Sequence, residues 1–183
     1  MMDGHRFFDL ADTRLTELEA LLERQTKPEH VHLASEIAQR EPIYDGSALR
    51  DALGSEGAKT ELLSELAWVF LKGPGVVAIR GAYGDTEVIA EATALFNDII
   101  AREKAQGPGA DHFAAGGAND RVWNALQKLC EANPELFARY FGNPVIAAVC
   151  EAWLGPGDQM TAQINVVHPG GAAQSAHRDY HLG

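Results

Sequence analysis

The run Thr161-Ala-Gln-Ile-Asn-Val-Val-His-Pro-Gly-Gly-Ala-Ala-Gln-Ser-Ala-His-Arg-Asp-Tyr-His-Leu-Gly183 differs in texture from everything before it. From Thr161 to His168 the residues alternate, with Gln163 and Asn165 on one side and Ile164 and Val166 on the other, which is the period of a half-buried strand. Pro169-Gly170-Gly171 then breaks the run, and a second extended stretch is expected from Gln174 to Leu182. On a strand, side chains at i and i+2 share a face. His177 and Asp179 therefore point the same way, with alpha carbons about 6.6 Å apart at a strand rise of ~3.3 Å per residue. An imidazole nitrogen and a carboxylate oxygen so placed can reach one divalent metal ion, since each binds at roughly 2.0 to 2.2 Å. His181 lies on the same face but about 13 Å from His177 along an extended strand, so it is read as lining the site rather than as a ligand. Arg178 and Tyr180 face the other way, where packing is their expected role.

Working back toward the N-terminus, Gly-Pro-Gly recurs at Gly73 to Gly75, Gly107 to Gly109 and Gly155 to Gly157 and marks turns. Leu15, Leu18, Leu21 and Leu22 have helical spacing behind Asp12 and Thr13, predicting a helix from Asp12 to Arg24. A weaker helix is expected from Glu29 to Arg40, ending before Pro42. A third, from Gly57 to Leu71, carries Leu62, Leu63, Leu66, Val69 and Phe70 on one face, and all three are expected to face a core. Val76 to Arg80 reads as a buried strand. Asp85 then caps a long helix striped by Val88, Ile89, Ala92, Leu95, Phe96, Ile99 and Ile100. Gln106 to Asp120 reads as a long loop. Helices resume near Arg121 and run to Trp153, broken at Asn133-Pro134 and Asn143-Pro144.

Composition narrows the classes. The 183 residues carry 15 Lys and Arg against 26 Asp and Glu, a net charge of −11. Such an excess repels phosphate backbones, and the cations are scattered, so nucleic acid is not an expected partner. There is no stretch of ~18 apolar residues and no basic-then-apolar leader at the start, so the expected location is the cytoplasm and no membrane association is expected. Two cysteines, Cys130 and Cys150, lack the spacing of a redox or zinc motif and are expected to be reduced and buried. Trp68, Trp123 and Trp153 are placed on helix faces, and Arg121 at a helix start.

His-x-Asp with a distant histidine is the ligand set of the two-histidine, one-carboxylate triad that holds iron(II) and leaves further positions open. Taken alone, the tripeptide also suits a solvated polar strand. The whole run from Thr161 to Gly183, however, resembles the strand, turn and metal-binding strand of the phytanoyl-CoA dioxygenase family of iron(II)- and 2-oxoglutarate-dependent oxygenases. Val76-Val-Ala-Ile-Arg-Gly81 looks like the family's first core strand, and Gly117-Ala-Asn-Asp-Arg-Val-Trp123 resembles a segment of its bacterial members. The likeness spans roughly Leu66 to Gly183.

What this resemblance implies is an α+β fold, with a helical layer packed on a double-stranded β-helix of the jelly-roll, cupin-like kind. Residues 66–183 would be the N-terminal part of the dioxygenase domain and residues 1–65 a helical extension. His177 and Asp179 match the first two iron ligands and are the implied catalytic residues. Gln163 and Asn165, on the neighbouring strand, would contact 2-oxoglutarate or substrate, an ordinary polar outer face being the alternative. Gln174 and His168, beside the turn, are weaker candidates. Iron(II), 2-oxoglutarate and molecular oxygen are the implied cofactor and cosubstrates, and a small molecule the substrate. The family's second histidine and the arginine that clamps the far carboxylate of 2-oxoglutarate lie well downstream of His-x-Asp, where this sequence offers only His181, Leu182 and Gly183. The expectation is therefore that the chain is the front portion of a longer domain and inactive by itself. A zinc-dependent hydrolase and a catalytically inactive binding module are the alternatives.

Overall fold

In the computed structural model, residues 14–107 and 119–170 are described. The chain divides into two compact units, Met1–Arg80 and Gly81–Gly183.

In the first unit, helix α1 (Leu15–Leu22) forms where the leucine spacing predicts it, yet none of its residues is buried. Leu15, Leu18, Leu21 and Leu22 are all at least half exposed, so the expected core-facing role is not seen among the described residues. The helix predicted over Glu29 to Arg40 is replaced by a 3-10 turn at Pro28–His30 and a hairpin of β1 (Glu36–Ala38) and β2 (Glu41–Asp45). Ala38 pairs with Glu41, leaving Gln39 and Arg40 as a two-residue turn with φ of 51° and 79°. Positive φ at both central residues matches the right-handed twist of the flanking strands. Pro42, read as a helix stop, is instead a buried strand residue. Asp45 ends β2 and caps α2 (Gly46–Leu53), its Oδ1 accepting from the Ser47 and Ala48 amides at 2.8 and 3.0 Å. Helix α3 (Glu56–Leu71) follows, and the chain returns as β3 (Ala78–Arg80), parallel to β2. The sheet order is β1-β2-β3. As an edge strand, β3 is largely exposed rather than buried. Leu62, Leu66 and Val69 of α3 are fully buried with Tyr44 and Val31. Each such side chain contributes about 1.5 to 3 kcal/mol.

Among these apolar groups lies a carboxylate, Glu65. A buried charge is tolerated only when hydrogen-bonded, and here Tyr44 Oη donates to Oε1 at 2.8 Å and the Leu33 amide donates to Oε2 at 3.1 Å. His32 Nδ1 stands 3.5 Å from Oε2, while its Nε2 meets Glu61 at 2.9 Å. Burial, then the bond to Glu65 and the carboxylate's charge, push the Tyr44 hydroxyl far above the ordinary phenol range.

The second unit is organised around the 20-residue helix α4 (Glu87–Gln106). Val88, Ala92, Phe96, Ile99 and Ile100 pack with Val122, Ala125, Leu129 and Leu136 in one core cluster. Asp85 takes part at the helix start as expected, but Thr86 is the cap residue and Asp85 Oδ1 accepts from the Glu87 amide at 2.8 Å. Strand β4 (Asn119–Val122) precedes α5 (Ala125–Ala132), α6 (Pro134–Phe141) and α7 (Pro144–Leu154). Both Asn-Pro pairs open helices, with Asn133 and Asn143 as caps and the prolines in the first turn, where a missing N–H costs nothing. Asn143 does more: Oδ1 accepts from the Val145 and Ile146 amides, and Nδ2 donates to the Ala82 carbonyl at 3.1 Å. Tyr83 donates to the Tyr140 carbonyl at 2.9 Å and stacks on that ring at 5.6 Å. Strand β5 (Ile164–Val167) closes the unit by pairing antiparallel with β4.

The described residues thus make an α+β chain of seven α-helices and two small sheets. A closed barrel is not seen among them.

Candidate functional site

Of the site residues expected from the sequence, Gln163 and Asn165 can be placed, and they lie at the β4–β5 ribbon. Its register pairs Asn119 with Val167, Asp120 with Val166, Arg121 with Asn165, and Val122 with Ile164. Successive residues on a strand point to opposite faces, so the ribbon has two chemically distinct sides. On one side Val122, Ile164 and Val166 pack against the core cluster of α4 and α5. The other side carries Asn119, Arg121, Asn165 and Val167. Gln163, just ahead of β5, and Asn165 are both exposed, in line with the alternation read from the sequence.

That outer face is polar and partly organised. The Arg121 guanidinium lies 4.9 Å from the centre of the Trp123 ring, a cation–π stack. Asn119 Oδ1 is buried and accepts no hydrogen bond among the described residues. A buried acceptor without a donor costs roughly 1 to 3 kcal/mol, and a donor from a bound ligand or water would remove that cost. Three expectations change here. Arg121 sits within strand β4 rather than at a helix start, and Trp123 follows that strand in a turn rather than lying on a helix. Asn119 and Asp120, read as the end of a long loop, open the strand.

On the inner face, Asp120 is the exception to the apolar pattern. It is only 9% exposed, and both oxygens are engaged by groups from other elements. Lys104 Nζ, from the last turn of α4, lies 2.5 Å from Oδ1. His168 Nε2, one residue past β5, lies 2.7 Å from Oδ2. The Lys104 bond first, and the His168 bond second, hold the Asp120 carboxyl below the usual carboxylate range despite its burial. The sequence offered no sign of this cluster, because its members are separated by 16 and 48 positions and none shares a local motif.

His177 and Asp179 lie outside the described residues, as do Gln174, Arg178, Tyr180 and His181. Within the described residues no set of three His, Cys, Asp or Glu side chains is grouped to hold a metal ion. Cys130 and Cys150 are free thiols on α5 and α7, half-buried rather than buried. Burial, aided by the charge of Asp158, raises the Cys150 thiol above its ordinary range, which disfavours the thiolate. None of the described helices is long and apolar enough to cross a membrane.

No curated protein and no solved structure gives a match to this chain. The sequence profile of the family described as Phytanoyl-CoA dioxygenase (PhyH) matches residues 71–183, a span that holds β3, the whole second unit with its β4–β5 ribbon, and His177-Arg178-Asp179. That match extends over more than half of the 183 residues, and the chain belongs to the phytanoyl-CoA dioxygenase family.

Proposed function

We propose that the protein is an iron(II)- and 2-oxoglutarate-dependent hydroxylase of a small molecule, with His177 and Asp179 as two of the metal ligands. The observation that carries this reading is the family match through residue 183, which takes in the His-x-Asp tripeptide. An imidazole and a carboxylate are donors suited to iron(II), and pairs of this kind build facial sites with open positions. A bound metal would supply the site at which molecular oxygen, the oxidant, is activated, one oxygen atom going to the substrate C–H bond and the other to 2-oxoglutarate, which would leave as succinate and carbon dioxide.

The residues of the ribbon have the complementary task of binding and orienting. Among the described residues, helix α4 and its core cluster occupy the inner face of β4–β5, and Gln163 and Asn165 are exposed on the other side, which is the face assigned to a ligand in this reading. Gln163 and Asn165 present amide donors and acceptors there, suited to the carboxylate of 2-oxoglutarate or to a polar substrate. Asn119 Oδ1, buried and without a hydrogen-bond partner among the described residues, offers an acceptor on the same side. In this reading residues 66–183 belong to the dioxygenase domain, built on a double-stranded β-helix, and residues 1–65 are an extension ahead of it. The net charge of −11 favours a small molecule over nucleic acid.

Anaerobic titration of the full-length protein with iron(II) and 2-oxoglutarate tests the reading, followed by the visible absorption of the chelate and by succinate release once oxygen is admitted. The expected result is both signals in the wild type and neither in His177→Ala or Asp179→Ala. Undiminished succinate formation in either variant refutes the ligand assignment.

A further inference from the structure

Helix α1 has an apolar face that nothing among the described residues covers. Leu15, Leu18, Leu21 and Leu22 lie on one side of it, each at least half exposed, and none of its eight residues is buried. A helix this short is marginal in water, since isolated helices need about 12 to 15 residues and take most of their stability from packing an apolar face. The hairpin turn ties down its C-terminal end, Arg40 Nη1 donating to the Leu22 carbonyl, but that bond leaves the leucines in solvent. Exposed leucines scattered singly need no explanation, whereas four contiguous on one helix face mark a surface built to be covered.

The charges beside the face say what covers it. In a seven-residue repeat, Leu15 and Leu22 take the a position and Leu18 the d position, the two that form the seam between paired helices. Arg14, the cap residue that opens the helix, then takes the g position, and Glu19 the e position that follows it. When two such helices run parallel, g of one meets the next e of the other. Arg14 therefore faces Glu19 of a second copy, and two-fold symmetry repeats the pair. Antiparallel pairing would set Arg14 against Arg14 and Glu19 against Glu19. Both side chains are exposed, and neither has an ion-pair partner among the described residues. We propose that α1 is a self-association surface, its leucine face docking in parallel on α1 of a second copy of this chain, with Arg14 and Glu19 fixing the orientation.

A seam of about one heptad is smaller than a standard interface, so the association should be weak, with a dissociation constant on the order of 100 μM. Sedimentation equilibrium of the full-length protein across roughly tenfold either side of that value tests it, paired with hydrogen exchange of the α1 amides at both ends of the range. Wild type should pass from monomer to dimer, and the α1 amides should gain protection as it does. Leu18→Glu places a charge in the seam and should weaken dimerisation more than about tenfold, while the urea midpoint of the dilute protein stays unchanged, because Leu18 is already half exposed. Arg14→Glu and Glu19→Arg should each weaken it roughly tenfold, since each sets two like pairs across the seam where opposite pairs stood. An equimolar mixture of those two variants should dimerise as wild type does, because both opposite pairs re-form between unlike chains. Glu23→Arg changes the charge as much as Glu19→Arg but stands off the seam, and should leave dimerisation within about twofold. A protein that stays monomeric across the range overturns the proposal. So does protection of α1 that is independent of concentration, which would mean that the leucines are covered within one chain. Dimers unaffected by Leu18→Glu overturn it as well, because another surface would then carry them, and a mixture that fails to recover overturns the parallel pairing.

Discussion

Replacing Tyr44 by Phe removes one oxygen from the most demanding spot in the first unit. Tyr44 is 0% exposed, and its hydroxyl donates to Oε1 of the buried Glu65, whose Oε2 is met instead by the Leu33 amide and, at 3.5 Å, by His32 Nδ1. The phenyl ring stays, so almost no apolar contact is lost and the cavity contribution is small. A hydrogen bond to a charged group is worth about 1.5 to 3 kcal/mol, and the orphaned Oε1 cannot be rehydrated. The expected loss is about 2 kcal/mol. With a urea m value of roughly 1 to 3 kcal/mol/M for a domain of this kind, the midpoint should fall by about 1 M. Trp68, stacked on His30 with ring centres 4.4 Å apart, reports on this unit alone once Trp123 and Trp153 are replaced by Phe. The pair can be isolated by repeating Tyr44→Phe in a Glu65→Leu background, where the hydroxyl has no carboxylate to serve. A midpoint change below about 0.3 M in the first background, or an equal change in both, would refute the claim that the hydroxyl acts by satisfying the carboxylate.

Three other outcomes follow from the structure. Asp120 has its folded-state pKa depressed by Lys104 and His168, so its contribution is fully present above the unfolded carboxylate value of about 3.9 and is lost as pH falls through the lower folded value; the urea-midpoint gap between wild type and Asp120→Asn should be flat from pH 5 to pH 7 and close below about pH 4, and a gap that widens on acidification would contradict the assignment. Cys150, with a raised thiol pKa, should react with iodoacetamide several-fold more slowly at pH 8 than free cysteine, as measured by peptide mass spectrometry; reaction as fast as the free thiol would show that the side chain is neither buried nor close to Asp158. Leu129, fully buried in the second unit's core, should lose about 2 to 5 kcal/mol on conversion to Ala, read as a lowered urea midpoint by Trp153 fluorescence.

How much of this was legible in the sequence follows from whether the deciding interactions are local. Helix α3, helix α4 and the two Asn-Pro helix starts depend on spacings of three and four residues and on caps within one turn, and they form close to where those signals place them. The hairpin of β1 and β2 was hidden because its turn uses Gln39 and Arg40 at positive φ, where glycine or asparagine would have announced it. Strand β4 was hidden by its brevity, four residues beside a Gly- and Ala-rich stretch, and it exists because β5 pairs with it from more than forty positions away. For the site, the alternation that exposes Gln163 and Asn165 is a local property and could be read directly. The engagement of Asp120 by Lys104 and His168 is a property of three elements meeting, and no window of sequence contains it.

The double use of Asn143 has a consequence for which residues that position can accept. Its carboxamide accepts from two amides at the start of α7 and donates to the carbonyl of Ala82. Aspartate could cap the helix but would set a charge against the Ala82 oxygen, serine could cap but would not span the distance, and glutamine would carry the amide one methylene too far. Cap chemistry admits several residues, whereas bridging narrows the choice to one. In a library randomised at codon 143 and selected for folded protein, asparagine should therefore dominate, while the cap at Asn133, whose Oδ1 accepts from the Leu136 amide, should give way to serine, threonine and aspartate.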